Sequence, residues 1–298
     1  MALKDSIPRP PQQPPLIRMK AILERNVFDS HCHLDRLFGD LVLKPKYFQT
    51  FKRENAAIMG ETFEGCITSF CQPRDWREKP WQCVLEEEGI YGAIGVHPSR
   101  AREYDENTED ELRYFLQEEP KIVALTEVGL DETHKVPLQI QEVAMVRQIQ
   151  IAIEFKKPIC LHIRGASEAA AYAMLKTGLA RDWPLHMHCF TDSYEIYIRW
   201  LNQYPKMKFG VVLNKANLEF LRRVPLGHLL LETDAPYFPP RSDHFKTKGE
   251  FLKKRSDRPV SHPGMVIYVA TEVAKVKGMD VNVVLGANRR NIREIYGV

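Results

Sequence analysis

The chain has 298 residues and a mass of 34.5 kDa, enough for one large α/β domain or two modest ones and too many for a small binding module. Hydrophobic residues at 44% and charged residues at 27% match an ordinary globular protein and exclude wholesale disorder. The balance of 42 basic against 39 acidic residues, net +3, is too mild to announce a nucleic-acid partner, so any basic surface must come from local clustering.

The first fifteen residues hold five prolines and no apolar stretch of the signal-peptide kind. They predict a flexible Pro-rich lead over 1–22, followed by a single domain over 23–298. No apolar run comes near the roughly 18 residues of a bilayer span, which excludes an integral membrane protein. Six cysteines without a Cys-x-x-Cys pair predict free thiols in a reducing compartment, nuclear or cytoplasmic.

From residue 27 onward, short and nearly continuous apolar runs alternate with longer amphipathic stretches. The runs cover 27–31, 65–70, 91–95, 122–127, 158–163, 185–188, 207–213 and 228–234, and read as buried parallel strands. Helical stretches cover 109–117, 137–155, 167–176, 194–203, 218–223 and 265–276, and a last one over 281–295 closes the chain. In the 137–155 stretch Ile140, Val143, Val146, Ile149 and Ile153 mark one apolar face, and Pro158 blocks continuation. Eight strands alternating with helices predict an α/β fold, a (β/α)8 TIM barrel. An open doubly wound sheet is the rival. That fold carries a glycine-rich turn after its first strand when it binds nucleotides. Neither GxGxxG nor GxxxxGKS occurs here, so no nucleotide cofactor is expected.

The chemistry-bearing side chains fall at strand ends. The first strand ends at His31 and His33, the third runs into His97, the fourth ends at Glu127, the fifth at His162, the sixth at His188 and the eighth at Asp234. In a barrel these ends gather on the face where active sites form. His31 and His33, two apart on a strand, point the same way, and imidazoles with carboxylates suit divalent metals. His186 enters its strand rather than leaving it, and His228 opens the eighth strand at the far end of the barrel. His134, His244 and His262 have no comparable placement, so all five stay outside the ligand set. Cys32 and Cys189 adjoin ligand histidines, but neighbours on a strand point away from the site.

Several segments resemble the motifs of the TatD family of metal-dependent nucleases. Val27-Phe28-Asp29-Ser30-His31-Cys32-His33-Leu34-Asp35 looks like its opening motif, Gly95-Val96-His97-Pro98 like the second and Glu127-Val128-Gly129-Leu130-Asp131 like the third. Leu161-His162-Ile163-Arg164 and His188-Cys189-Phe190-Thr191 resemble the fourth and fifth. Leu229-Leu230-Leu231-Glu232-Thr233-Asp234-Ala235-Pro236-Tyr237 resembles the sixth and most specific. The motifs come in order over 27–297. Cys71-x-Pro73-Arg74 and His262-Pro263-Gly264 hint at the eukaryotic branch. The resemblance implies a TIM barrel with two divalent cations that hydrolyses phosphodiesters in DNA, and in some members RNA, from the 3′ end. Thr126, Glu132 and Asp192 depart from the family pattern; Glu132 and Asp192 add negative charge near the phosphate-binding face.

Such hydrolysis needs an activated water, neutralised phosphoryl charge and help for the leaving oxygen, which two cations about 3.5–4 Å apart supply. By strand-end position and by the resemblance, Glu127 is the bridge. One cation takes His31, His33, Glu127 and Asp234, and the other takes Glu127, His162 and His188. Asp234 also accepts the proton of the attacking water. His97 attends the scissile phosphate or leaving group, and Arg164 suits a bidentate phosphate contact. The resemblance points to Mg2+ or Mn2+ for activity, with Zn2+ another occupant. Glu232, one pleat deeper than Asp234, reads either as an orienting partner of a ligand histidine or as a residue of the core. The stretch 241–258 holds seven basic and three acidic residues. It reads either as an ordinary solvated loop or as an arm on which Lys253, Lys254 and Arg255 follow a nucleic-acid backbone. Two other readings stay open: a barrel amidohydrolase or deacylase, and a weakly catalytic nucleic-acid-binding domain.

Overall fold

A computed structural model describes residues 27–41, 51–53, 62–77, 82–212, 218–239, 252–253 and 259–298; the lead over 1–22 lies outside them. Eight strands pair in sequence order, each parallel to the next. They are β1 (Val27–Cys32), β2 (Phe63–Phe70), β3 (Ile90–Ile94), β4 (Ile122–Asp131), β5 (Ile159–Arg164), β6 (Leu185–Met187), β7 (Lys208–Val211) and β8 (Leu229–Leu231). Around and after them run α1 (Leu34–Leu41), α2 (Pro73–Arg77), α3 (Gln82–Leu85), α4 (Glu106–Glu118), α5 (Leu138–Phe155), α6 (Glu168–Gly178), α7 (Tyr194–Gln203), α8 (Leu218–Arg223), α9 (Val266–Lys277) and α10 (Val281–Tyr296). No described helix is long and apolar enough to cross a membrane.

The ends of the sheet meet. Ser30 Oγ donates to Leu231 O, and Asp234 N donates to His31 O, both at 2.9 Å. Asn288 of α10 bridges the same seam. It accepts from Leu231 N at 2.8 Å and donates to Phe28 O at 2.9 Å. Inside the barrel Phe28, Ile67, Ala93, Ala124 and Leu230 pack on Ile292, Ile295 and Tyr296, so α10 plugs one end. The architecture is the (β/α)8 barrel that the strand count predicts.

Two local readings need correction. Strand β4 does not end at Glu127 but continues to Asp131. Its register against β5 shifts between Leu125 and Val128, and Glu127 has φ 55°. This is a bulge, which re-aims one side chain without ending the strand. A Cβ at Gly95 would lie 1.9 Å from Thr126 O, so glycine lets the chain after β3 close on the bulge. The second correction concerns α5. Val143, Val146 and Ile153 of its apolar stripe are exposed, at 60%, 40% and 40%. The face on the barrel carries Gln141, Ala144, Met145, Gln148, Ile149, Ile151 and Ala152. Gln148 accepts from Val96 N at 2.7 Å and donates to Val96 O at 3.2 Å. Gln141 accepts from Asp131 N at 2.7 Å and donates to Asp131 O at 3.0 Å. Backbone groups where β3 and β4 run out must be paired when buried, and two amides serve them better than apolar side chains would.

Candidate metal centre

The C-terminal strand ends open into a pocket of about 400 Å³. All the predicted ligands meet at or beneath its floor. His31 and His33 come from the end of β1, Glu127 from the β4 bulge and His162 from β5, while His188 and Asp234 lie just past β6 and β8. Glu127 and Asp234 (φ 53°), together with Cys189 (φ 47°) after His188, sit in the left-handed backbone region. That costs a non-glycine residue about 1–3 kcal/mol and is held by surrounding structure, characteristically at functional sites. Here Asp29 supplies part of the hold. Its carboxylate accepts from His31 N at 3.2 Å, Thr233 N at 3.0 Å and Thr233 Oγ at 2.5 Å.

The ligand atoms form two groups. His31 Nε2, His33 Nε2, Glu127 Oε1 and Asp234 Oδ1 stand 3.2–3.6 Å apart over five pairs. Ligand atoms about 2.0–2.2 Å from one zinc or magnesium ion have comparable spacings, so these atoms can share a cation. Glu127 turns its other oxygen to the second group: Oε2 lies 2.8 Å from His162 Nδ1 and 3.6 Å from His188 Nε2, which are 3.2 Å apart. Despite this crowding, Glu127 Oε2 and Asp234 Oδ1 are buried without a hydrogen bond among the described residues, a costly condition that a cation relieves. The residues therefore fit divalent cations, with Glu127 between the two groups.

Electrostatics agree. Burial opposes ionisation of Glu127, but the close imidazoles of His188, His162, His31 and His33 outweigh it and hold its carboxyl well below the usual range. Burial would likewise lower His33, but contacts with Asp234, Cys71 and Glu127 raise it well above the ordinary value. The ring nitrogens facing away from the centre fix the tautomers. His33 Nδ1 lies 3.1 Å from Ser69 O, and His162 Nε2 lies 2.9 Å from Asp131 Oδ2, so in the neutral form that binds a cation each turns a lone pair inward.

His97 and Arg164 line the same pocket. Ser99 N donates to His97 Nδ1 at 3.0 Å, which places the ring proton on Nε2. Burial pushes His97 down to about 3, so it is a neutral donor. His97, Asp131 and His134 also bring ligand atoms close enough for a cation, as do His97, Glu127 and His162. Arg164 Nη2 lies 3.1 Å from His188 Nε2. Glu132 packs over Gly165 and is not among the pocket residues. Burial raises Asp192 in spite of nearby Arg164. Glu232 accepts from Cys189 N, and its Oε2 lies 3.0 Å from His186 Nε2. Lys253 falls in a two-residue strand, β9 (Leu252–Lys253), paired with β10 (Pro259–Val260); Lys254 and Arg255 lie outside the described residues.

Sequence reasoning passed over Asp131, His134, Arg36, Cys71 and Tyr237, all set at or beside the pocket. Asp131 was within reach, since it closes the third motif four residues after Glu127 on the same strand. Cys160 was too, being two residues before His162 on the inward side of β5.

The profile of the family described as TatD related DNase matches residues 28–297. The chain is 35% identical over 292 residues to the human 3′-5′ RNA nuclease TATDN2, covering 95% of this chain but 37% of that protein. It is 30% identical over 217 residues to the 3′-5′ ssDNA/RNA exonuclease TatD of Edwardsiella piscicida, covering 69% of this chain and 77% of that one. Among solved structures, the TatD homologue YJJV of Escherichia coli superposes with a TM-score of 0.73 at 22% identity, over 91% of this chain and 98% of that chain. A barrel whose strand ends carry this ligand set in this order, matched along almost its whole length, belongs to the TatD-related DNase family.

Proposed function

We propose that the chain is a divalent-metal-dependent nuclease that hydrolyses phosphodiester bonds in DNA or RNA, trimming from the 3′ end with two cations, Mg2+ or Mn2+ in the active state. The observation that carries this reading is the division of the ligand atoms into two groups sharing Glu127. The names of the two relatives support the substrate class. A pocket of about 400 Å³ lies near the small end of the roughly 300–1,000 Å³ typical of ligand sites. It suits a chain end better than an enclosed strand. All six cysteines are free and five are buried, which fits a nuclear or cytoplasmic protein.

Divalent cations, when bound, neutralise phosphoryl charge and acidify water. The side chains do the rest. Asp234 accepts the proton of the attacking water. His97, held neutral with its proton on Nε2, donates to a phosphoryl or leaving oxygen. Arg164 holds the phosphate by a charge-assisted contact. Lys253, Lys254 and Arg255 track the backbone of the strand leaving the site. Digestion of end-labelled single-stranded DNA, RNA and hybrids, with and without metal and beside Asp234→Ala, tests the reading. Metal-dependent shortening from the 3′ end, lost in the variant, is expected. Cleavage that persists in chelator or in the variant overturns it.

A further inference from the structure

Each ligand histidine that gives one nitrogen to a metal carries a proton on the other, and that proton needs an acceptor. His33 and His162 have ordinary ones, a backbone carbonyl and a carboxylate. His31 and His188 do not. Their Nδ1 atoms point down into the barrel, where the layer beneath the centre is unusual. Barrel interiors are filled by branched apolar side chains. Here Cys160, His186, Glu232 and Tyr296 are buried together, at a cost that only directed contacts offset.

The contacts are directed. Cys160 Sγ lies 3.5 Å from His31 Nδ1 and 3.7 Å from His186 Nδ1. The Tyr296 hydroxyl is 2.6 Å from His186 Nδ1. A hydroxyl donating there leaves the neutral ring's proton on Nε2, which lies 3.0 Å from Glu232 Oε2, a close contact of two atoms that make no hydrogen bond of good geometry among the described residues. The other oxygen, Oε1, accepts from Cys189 N and faces His188 Nδ1 at 3.8 Å. A Cβ at Gly210 would come within 2.4 Å of the Glu232 carboxylate, so glycine makes the room.

We propose that Cys160, His186, Glu232 and Tyr296 are positioning residues of the metal centre: the Cys160 sulfur accepts the Nδ1 proton of His31, and Tyr296, through His186, orients Glu232 beneath His188. The last helix thereby reaches the metals through a chain of side chains. The proposal rests on the metal-centre reading above.

Cobalt(II) titration of the purified protein, followed by its visible absorption and without nucleic acid, tests it. Cys160→Val removes the acceptor at similar volume and is expected to weaken cobalt binding about 10–100-fold and shift the band. Cys160→Ser, which keeps an acceptor, is expected to restore both. Tyr296→Phe, which removes one oxygen and no packing, is expected to move the same two readouts while the melting temperature of the metal-free protein stays near that of the parent. Wild-type cobalt affinity and spectrum in Cys160→Val and Tyr296→Phe overturn the proposal. If Cys160→Val does not fold, Tyr296→Phe decides alone. A parent protein that binds no cobalt overturns the metal centre itself and this proposal with it.

Discussion

Glu127 does more than any other single residue at the site: one oxygen faces each ligand group, and its backbone is held in a left-handed conformation. Glu127→Ala is therefore expected to empty both groups in elemental analysis, whereas His162→Ala should deplete only one; full occupancy in Glu127→Ala refutes the bridge. Asp234→Asn keeps the shape but loses charge and proton affinity. Its single-turnover rate should fall about 10²–10⁴-fold with substrate affinity nearly unchanged. Away from the centre, His262 is buried with neither ring nitrogen bonded to a described residue, and burial pushes it down to about 3 from 6.5. As pH falls the unfolded chain takes up this proton first. His262 thus contributes stability that is full above about pH 6.5 and is lost as pH drops toward 3. Urea midpoints from pH 7 to 4 should decline less steeply in His262→Phe than in the parent; parallel declines would show that another group titrates. The ligands themselves were legible because each is a histidine or carboxylate at the end of an apolar run. Asp131 and Cys160 were legible only at one remove, through a motif and through strand alternation, because which neighbouring strand they touch is a property of paired strands rather than of one run.

At the level of elements, α5 shows where periodicity misleads. Its apolar stripe looks outward because two glutamines have stronger claims on the inward face. Gln148→Leu should leave Val96 N–H and C=O unpaired, at about 1–3 kcal/mol for each orphaned group, read from urea unfolding. Val143→Glu on the exposed stripe should change stability by no more than about 0.5 kcal/mol. The opposite pattern would show the helix turned the other way. Strand existence and order were readable from the sequence, since a doubly buried parallel strand has to be apolar throughout. Strand ends were not: β4 runs past its expected end and β8 stops short of its own, at Leu231, because pairing rather than composition decides where a strand stops.

For the whole molecule the decisive feature is the seam between β8 and β1. Asn288 serves one backbone group on each side of it. Asn288→Leu should orphan both, cost about 1–3 kcal/mol apiece, and speed amide exchange at Leu231 ahead of the rest of the barrel. Exchange at Leu231 no faster than in the parent would place the closure elsewhere.

The seam also sets an order of events. It joins partners 201 and 260 positions apart along the chain, Ser30 to Leu231 and Phe28 to Asn288, and contacts of such separation form late in folding. His31 and His33 precede Asp234, and the helix that locks it against them, in the chain, so the group they share with Asp234 stays open until the eighth strand has joined the first. Closing the barrel and completing that group are therefore one event, and a barrel stalled short of its eighth strand lacks the full group.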